Sequence, residues 1–160
     1  MQTTRLRIRR FESGDLQALV SLMSDPETMK YTGFKTPQSL EKIKTLHLKW
    51  REEGRQACGV WCVETKDSKE FVGWVMLRQT QDADPELGYM IHKPSWGRGY
   101  ATEVALGMLG YARQNQSISK VIARCSSNNP ASTRVLTKIG MTKVPDQPNE
   151  RDSWLYEINF

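Results

Sequence analysis

The 160-residue sequence predicts an α+β domain built on a mixed sheet of about seven strands flanked by helices. Three observations carry this. "QACGVWCVE" and "EFVGWVMLRQT" are apolar runs joined by the polar "TKDSK", the pattern of an antiparallel hairpin. "ELGYMI", a helical stretch and "SKVIARC" then form a strand–helix–strand unit, which calls for a parallel pair. The order of elements is too irregular for a doubly wound sheet. With no internal repeat, low-complexity tract or linker, residues 1–160 read as one domain.

Residues 5–10 suggest the first strand, with Arg5, Arg7 and Arg9 on a solvated face and Leu6 and Ile8 on the other. Leu16, Leu19, Val20 and Met23 share one helix face, with Ser13 as a plausible N-cap. "SDPETMKYTGF" reads as a helical turn and loop. "TPQSLEKIKTLHLKW" opens with Thr36 as N-cap and Pro37 at the first helical position, and turns Leu40, Ile43 and His47 or Trp50 inward. After the hairpin, "QDADP" leads to "ELGYMI". A helix over 97–113, the strand "SKVIARC", a helix from about Asn129 to Lys138, and strands at "MTKVP" and "SWLYEINF" complete the chain.

Composition narrows the function classes. No apolar run approaches the roughly 18 residues of a membrane span. "MQTTRLRIRR" lacks the apolar core of a signal peptide, so a cytoplasmic protein with no membrane partner is expected. Cys58 and Cys62 sit four residues apart on a strand, about 13 Å, too far for a bridge or a shared metal. With Cys125, His47 and His92 elsewhere, no metal site is expected. The net charge of +5 favours anionic partners, but no aromatic–basic interleaving supports nucleic acid.

The segment "HKPSWGRGYATEVALGML" sets Gly97 and Gly99 between a strand and a helix start. Glycines let backbone approach a ligand, and a helix start aims unpaired N–H groups and a positive dipole at it. The phosphate loops with well-known spacing do not fit. There is no Gly-x-x-x-x-Gly-Lys-Ser/Thr, and Thr102 stands at the third glycine of a dinucleotide loop.

The segment does resemble motif A of the GNAT N-acetyltransferases, Gln/Arg-x-x-Gly-x-Gly/Ala, with Trp96, Gly99 and Ala101 at its defining positions. "NNPASTRVLTKIGM" is similar to that family's second cofactor motif through Asn129, Ser132, Leu136, Lys138 and Gly140, with Met141 where Phe is usual. "TRLRIRRFESGDLQALVSLMSDPETMKY" resembles the start of the ribosomal-protein N-terminal (Rim-type) branch. The resemblance implies a splayed sheet that opens to hold acetyl-CoA. It implies pyrophosphate contacts from backbone N–H groups of Gly97, Arg98, Gly99, Tyr100, Ala101 and Thr102. It implies pantetheine pairing by Met90, Ile91 and His92, with Asn129 and Ser132 near the thioester. Lys138 either approaches the nucleotide phosphates or is a solvated helix lysine. Trp96 brings neither the charge nor the amide of the residue it replaces, and stacking on the cofactor and plain packing both remain open.

The chemistry implied is attack of a neutral amine on the thioester. Glu86, at the head of "ELGYMI", is the candidate base, and an ordinary strand-start charge is the alternative. His92 is a second candidate. Many relatives carry a tyrosine acid where Leu136 stands here; the Rim-type resemblance instead implies Ser132, three residues after Asn129, as the donor to the thiolate, and an early-helix serine bonding backbone N–H groups is the alternative. Tyr89, Tyr100 and Tyr111 are hydroxyls without an assigned place. The acceptor expected from the Rim-type resemblance is a protein N-terminal α-amine. A small-molecule amine and an inactive acyl-CoA sensor are the alternatives. "MKYTGFKTP" is the segment expected to shape acceptor choice, and a homodimer is left open.

Overall fold

A computed structural model of the chain describes residues 1–53, 58–79, 84–145 and 152–160. Its seven strands are β1 (Leu6–Arg9), β2 (Gly59–Thr65), β3 (Phe71–Arg78), β4 (Glu86–Ile91), β5 (Lys120–Ser126), β6 (Thr142–Lys143) and β7 (Ser153–Asn159). Its helices are α1 (Leu16–Met23), α2 (Pro26–Met29), α3 (Leu40–Glu53), α4 (Tyr100–Arg113) and α5 (Pro130–Lys138). The sheet order is β1-β2-β3-β4-β5-β7-β6, and only β4 and β5 run parallel. Residues 56–57 of the first expected hairpin strand, Thr80 at the end of the second, and residues 81–83 of "QDADP" lie outside the described residues.

Each face of the sheet buries its own core. Alternation along β2 sends Trp61 and Val63 to one side and Val60 and Cys62 to the other. On the first side they join Val104 and Met108 of α4 and Leu136 of α5. On the second they join Leu19 and Met23 of α1, Met29 of α2, and Ile43 and Trp50 of α3. β2 is buried along its whole length because helices cover both faces.

β4 and β5 meet at one register position, Glu86 opposite Ile122, where the Ile122 amide donates to the Pro85 carbonyl at 2.9 Å. Beyond it their ladder ends, although β4 stays paired with β3 along its length and β5 with β7. The sheet therefore splays between its two parallel strands. Gly73 helps hold the β4 side of the opening. Its φ is +151°, and a Cβ there would lie 2.0 Å from the Met90 carbonyl oxygen.

Several local expectations are corrected. α1 starts at Leu16 rather than after a Ser13 cap, because Ser13–Asp15 form a 3-10 turn and the Asp15 carboxylate accepts the Glu12 amide at 2.7 Å. α3 starts at Leu40, with the Ser39 hydroxyl accepting the Lys42 amide, so Thr36 and Pro37 precede it. Leu40 is 50% exposed, while Ile43, His47 and Trp50 are buried as expected. The arginines of β1 are not simply solvated. Arg9 grips Asp15 with two guanidinium nitrogens at 2.7 and 2.8 Å and Glu64 with a third at 2.7 Å. Among the described residues no helix is long and apolar enough to cross a membrane.

Candidate active site

The turn between β4 and α4 is made by the glycines. Gly97 (φ +73°) and Gly99 (φ +78°) adopt left-handed conformations that favour a residue without Cβ. Gly99 is the N-cap of the 14-residue α4 and brings no side-chain cap. The first helical N–H to find an intrahelical carbonyl is that of Glu103, on Gly99. The amides of Tyr100, Ala101 and Thr102 thus have no partner within the helix, and space beside Gly97 is open. Such a helix start suits an anionic group.

The turn is braced from the N-terminus by residues that charge patterning could not reveal. Arg5 donates to the Arg98 carbonyl at 2.9 Å and pairs with Glu103 at 2.7 Å. The Glu103 carboxylate also accepts the Thr3 hydroxyl and the Arg5 amide, both at 2.6 Å. Partial burial pushes the Glu103 carboxyl up, but these donors outweigh it and hold it below the usual carboxylate range. The guanidinium carbons of Arg5 and Arg98 lie 4.7 and 4.9 Å from the centre of the buried Tyr100 ring.

Trp96, 44% exposed, has a definite task. Its indole N–H donates to the Ile91 carbonyl at 2.7 Å, tying the turn to the end of β4. This bears on the strand edge offered to a ligand. The His92 amide donates to the Val72 carbonyl at 2.8 Å. In an antiparallel ladder such bonds recur at every second residue, so Met90 and His92 turn their backbone groups toward β3. Of the expected Met90, Ile91 and His92, only Ile91 turns its backbone groups away from β3. Tyr89 and Ile91 carry the backbone groups that face the opening, and the Ile91 carbonyl already serves Trp96.

Across the opening, Asn129 caps α5. Its side-chain oxygen accepts the Ser132 amide and its Nδ2 donates to the Ser132 hydroxyl oxygen, both at 3.1 Å. Lys138 lies in the last turn of α5 and is exposed, where it complements the helix dipole. Six residues separate it from Ser132, about 9 Å of helix rise.

Glu86 sits where β4 and β5 part. Its carboxylate meets the Arg124 guanidinium across the gap at 2.6 Å. By alternation Glu86 and Arg124 face the α1–α3 side, whereas Tyr89 packs on the α4–α5 side. Glu86 and the helix that carries Ser132 therefore stand on opposite faces of the sheet. His92 Nε2 lies 3.2 Å from the Ser21 hydroxyl, and its ring meets Phe71 edge-on. Among the described residues no three His, Cys, Asp or Glu side chains gather as a metal site, and Cys58, Cys62 and Cys125 carry free thiols.

A splayed sheet, a glycine turn feeding α4 and a capped α5 beside it coincide with a known sequence pattern. Residues 5–142 match the model of the acetyltransferase (GNAT) domain. This chain belongs to the GNAT acetyltransferase family. The Bacillus subtilis protein YkkB is 33% identical over 146 residues, which cover 87% of this chain and 83% of YkkB. The spermidine N-acetyltransferase of Vibrio cholerae, solved with CoA and spermine, superposes with a TM-score of 0.79 at 21% identity, covering 96% of this chain and 95% of the other. RimL, the ribosomal L7/L12 α-N-protein acetyltransferase solved with CoA, does so at 0.79 with 17% identity, covering 99% and 96%. At those identities the two structures speak for the fold. This GNAT chain is an acyltransferase whose acetyl donor is acetyl-CoA. The uncapped start of α4 and the open space at Gly97 fit the donor's phosphates.

Proposed function

We propose that this GNAT enzyme acetylates the α-amine of a protein or peptide N-terminus by direct attack on the thioester. The observation that carries the reading is the division of the slot. One carboxylate, Glu86, faces the α1–α3 side, and the Asn129–Ser132 pair stands at the start of α5 beside the opposite face. An amine arriving from the first side meets the base, and the thiolate leaves toward the second. A single base suffices for an α-amine, about one-seventh neutral at pH 7, far better than for a lysine amine at about one in 2,500. The segment 29–37 borders this side. Met29 is buried and Phe34 packs on the α1–α3 core, and the Glu27–Lys93 ion pair (2.6 Å) ties α2 to the turn after β4.

In this reading the amides of Gly97 through Thr102 hold the pyrophosphate and the edge of Tyr89 and Ile91 guides the pantetheine arm. Glu86, released from Arg124 or acting through water, takes the ammonium proton, and Ser132 donates a hydrogen bond to the thiolate. Glu86→Gln tests it. With a peptide acceptor, kcat should fall about a hundredfold while the acetyl-CoA KM moves less than about threefold. An unchanged kcat from about pH 6 to 9 would remove Glu86 as the base.

A further inference from the structure

Met76 lies between two points at which α3 rests on β3. To one side the Trp50 and Trp74 rings stand 5.5 Å apart between centroids, and to the other Arg78 pairs with Glu53 at 2.7 Å. Side chains at 74, 76 and 78 share the α1–α3 face of the strand. Met76 is only partly buried there, and its side chain runs sideways across β4. It crosses at Gly88, its register partner. A Cβ on Gly88 would lie 2.5 Å from Met76 Cε, 3.1 Å from Cγ and 3.4 Å from Sδ. The φ of Gly88 is not positive, so what this glycine supplies is space for the methionine.

The crossing point is at the lip of the opening. β4 and β5 pair only at Glu86, so at Gly88 the far edge of β4 borders the slot. Glu86 and Gly88 share a face and lie about 7 Å apart along the strand. The Met76 thioether therefore covers the strip of β4 next to the Glu86 carboxylate, on the α1–α3 side. In an α-amine the nitrogen and the Cβ are held by one carbon, about 2.5 Å apart. An amine nitrogen within reach of Glu86 thus brings the first side chain of its peptide to the neighbourhood of Gly88.

We propose that Met76, laid over Gly88, is a specificity-determining residue that limits the size of the acceptor's first side chain. This rests on the reading of Glu86 as base for a peptide α-amine. The thioether fills the place that a long first side chain would need, so the acceptor class is a peptide beginning with Gly, Ala or Ser. An unbranched side chain with three rotatable bonds yields by degrees. Leu or Phe at the first position is therefore slowed, not shut out.

The test reads the ratio of kcat/KM for two peptides that differ only in the first residue, Ala or Phe, at saturating acetyl-CoA. The wild type should favour the Ala peptide by about tenfold or more, the discrimination a misfitting methylene group carries in an apolar pocket. Met76→Ala should move the ratio about tenfold toward Phe. Adding Gly88→Ala to it puts a methyl back over the same strip and should reverse part of that shift. Met76→Leu nearly conserves volume and keeps the test open should the alanine variant fold poorly. Its shorter, branched side chain cannot lie across Gly88, and the ratio should move the same way by about threefold. A Met76→Ala ratio within about twofold of wild type would overturn the role of Met76, since an equal loss on both peptides marks packing alone. Equal turnover of the two peptides by the wild type would do the same. A double variant as permissive as Met76→Ala would overturn the placement over Gly88. No turnover of any peptide with a free α-amine would overturn the proposed function itself, and this inference with it.

Discussion

Trp96 stands where the family pattern has Gln or Arg, and its indole N–H reaches the Ile91 carbonyl at 2.7 Å. It keeps the donor of the replaced residue and directs it to backbone. Removing it should loosen the turn from the end of β4. Trp96→Phe is expected to cost about 1 kcal/mol of stability and to raise the acetyl-CoA KM several-fold with kcat little changed. Thermal melts and initial-rate kinetics check both. The sequence shows Trp96 as a departure but cannot show its partner, because that bond depends on how the five intervening residues turn. The same holds for Tyr89. Its place in an apolar strand is legible, whereas the burial of its unpartnered hydroxyl depends on how β4 packs on the α4–α5 core.

At the scale of elements, the start of α4 and the N-terminal segment act together. Arg5 links the Arg98 carbonyl to Glu103, so the left-handed turn is held by a residue 93 positions away. Arg5→Met should raise the acetyl-CoA KM several-fold, since the turn must then be ordered on binding. Arg7→Met should not, because Arg7 faces Glu64 at 3.5 Å instead. Kinetics on the two variants separate turn bracing from loss of positive charge. Element order was legible from alternation and helical spacing, and so was the parallel pair at Glu86. Boundaries were less so, where distant groups claim the backbone. The Gln38 amide donates to the Met23 carbonyl at 3.0 Å, which keeps residues 36–38 out of α3 despite the Thr36–Pro37 signal. The face that each β4 backbone group presents follows from pairing with β3. The resemblance that names Met90, Ile91 and His92 identifies the strand, but not which of its backbone groups turn toward the opening.

Across the whole molecule, the ion pairs of β1 join layers. Arg9 connects the sheet to the Ser13–Asp15 turn before α1. Partial burial pushes the Asp15 carboxyl up, but the Arg9 guanidinium and the Glu12 amide prevail and hold it below the usual range. Glu103 is lowered in the same way. In acid the unfolded chain takes up these protons before the folded one. Their stabilisation is present above the ordinary carboxylate pKa of about 4 and is lost as pH falls through the depressed values. The melting midpoint should hold near neutrality and drop below about pH 4. Arg9→Met should lower it at neutral pH and flatten the acid slope, as pH-dependent thermal melts would show.

In the function proposed above, the same layering separates the face that would receive the amine from the face that would receive the sulfur. The direct test is thiol release from saturating acetyl-CoA across an amine panel, with products identified by mass. The panel holds peptides with a free N-terminus, the same peptides N-blocked but carrying lysine, and spermidine. Thiol release matched by acetylation of the free α-amine alone is the predicted result. Acetyl-CoA binding without turnover on any amine, or faster turnover on lysine or spermidine than on the α-amine, would contradict it.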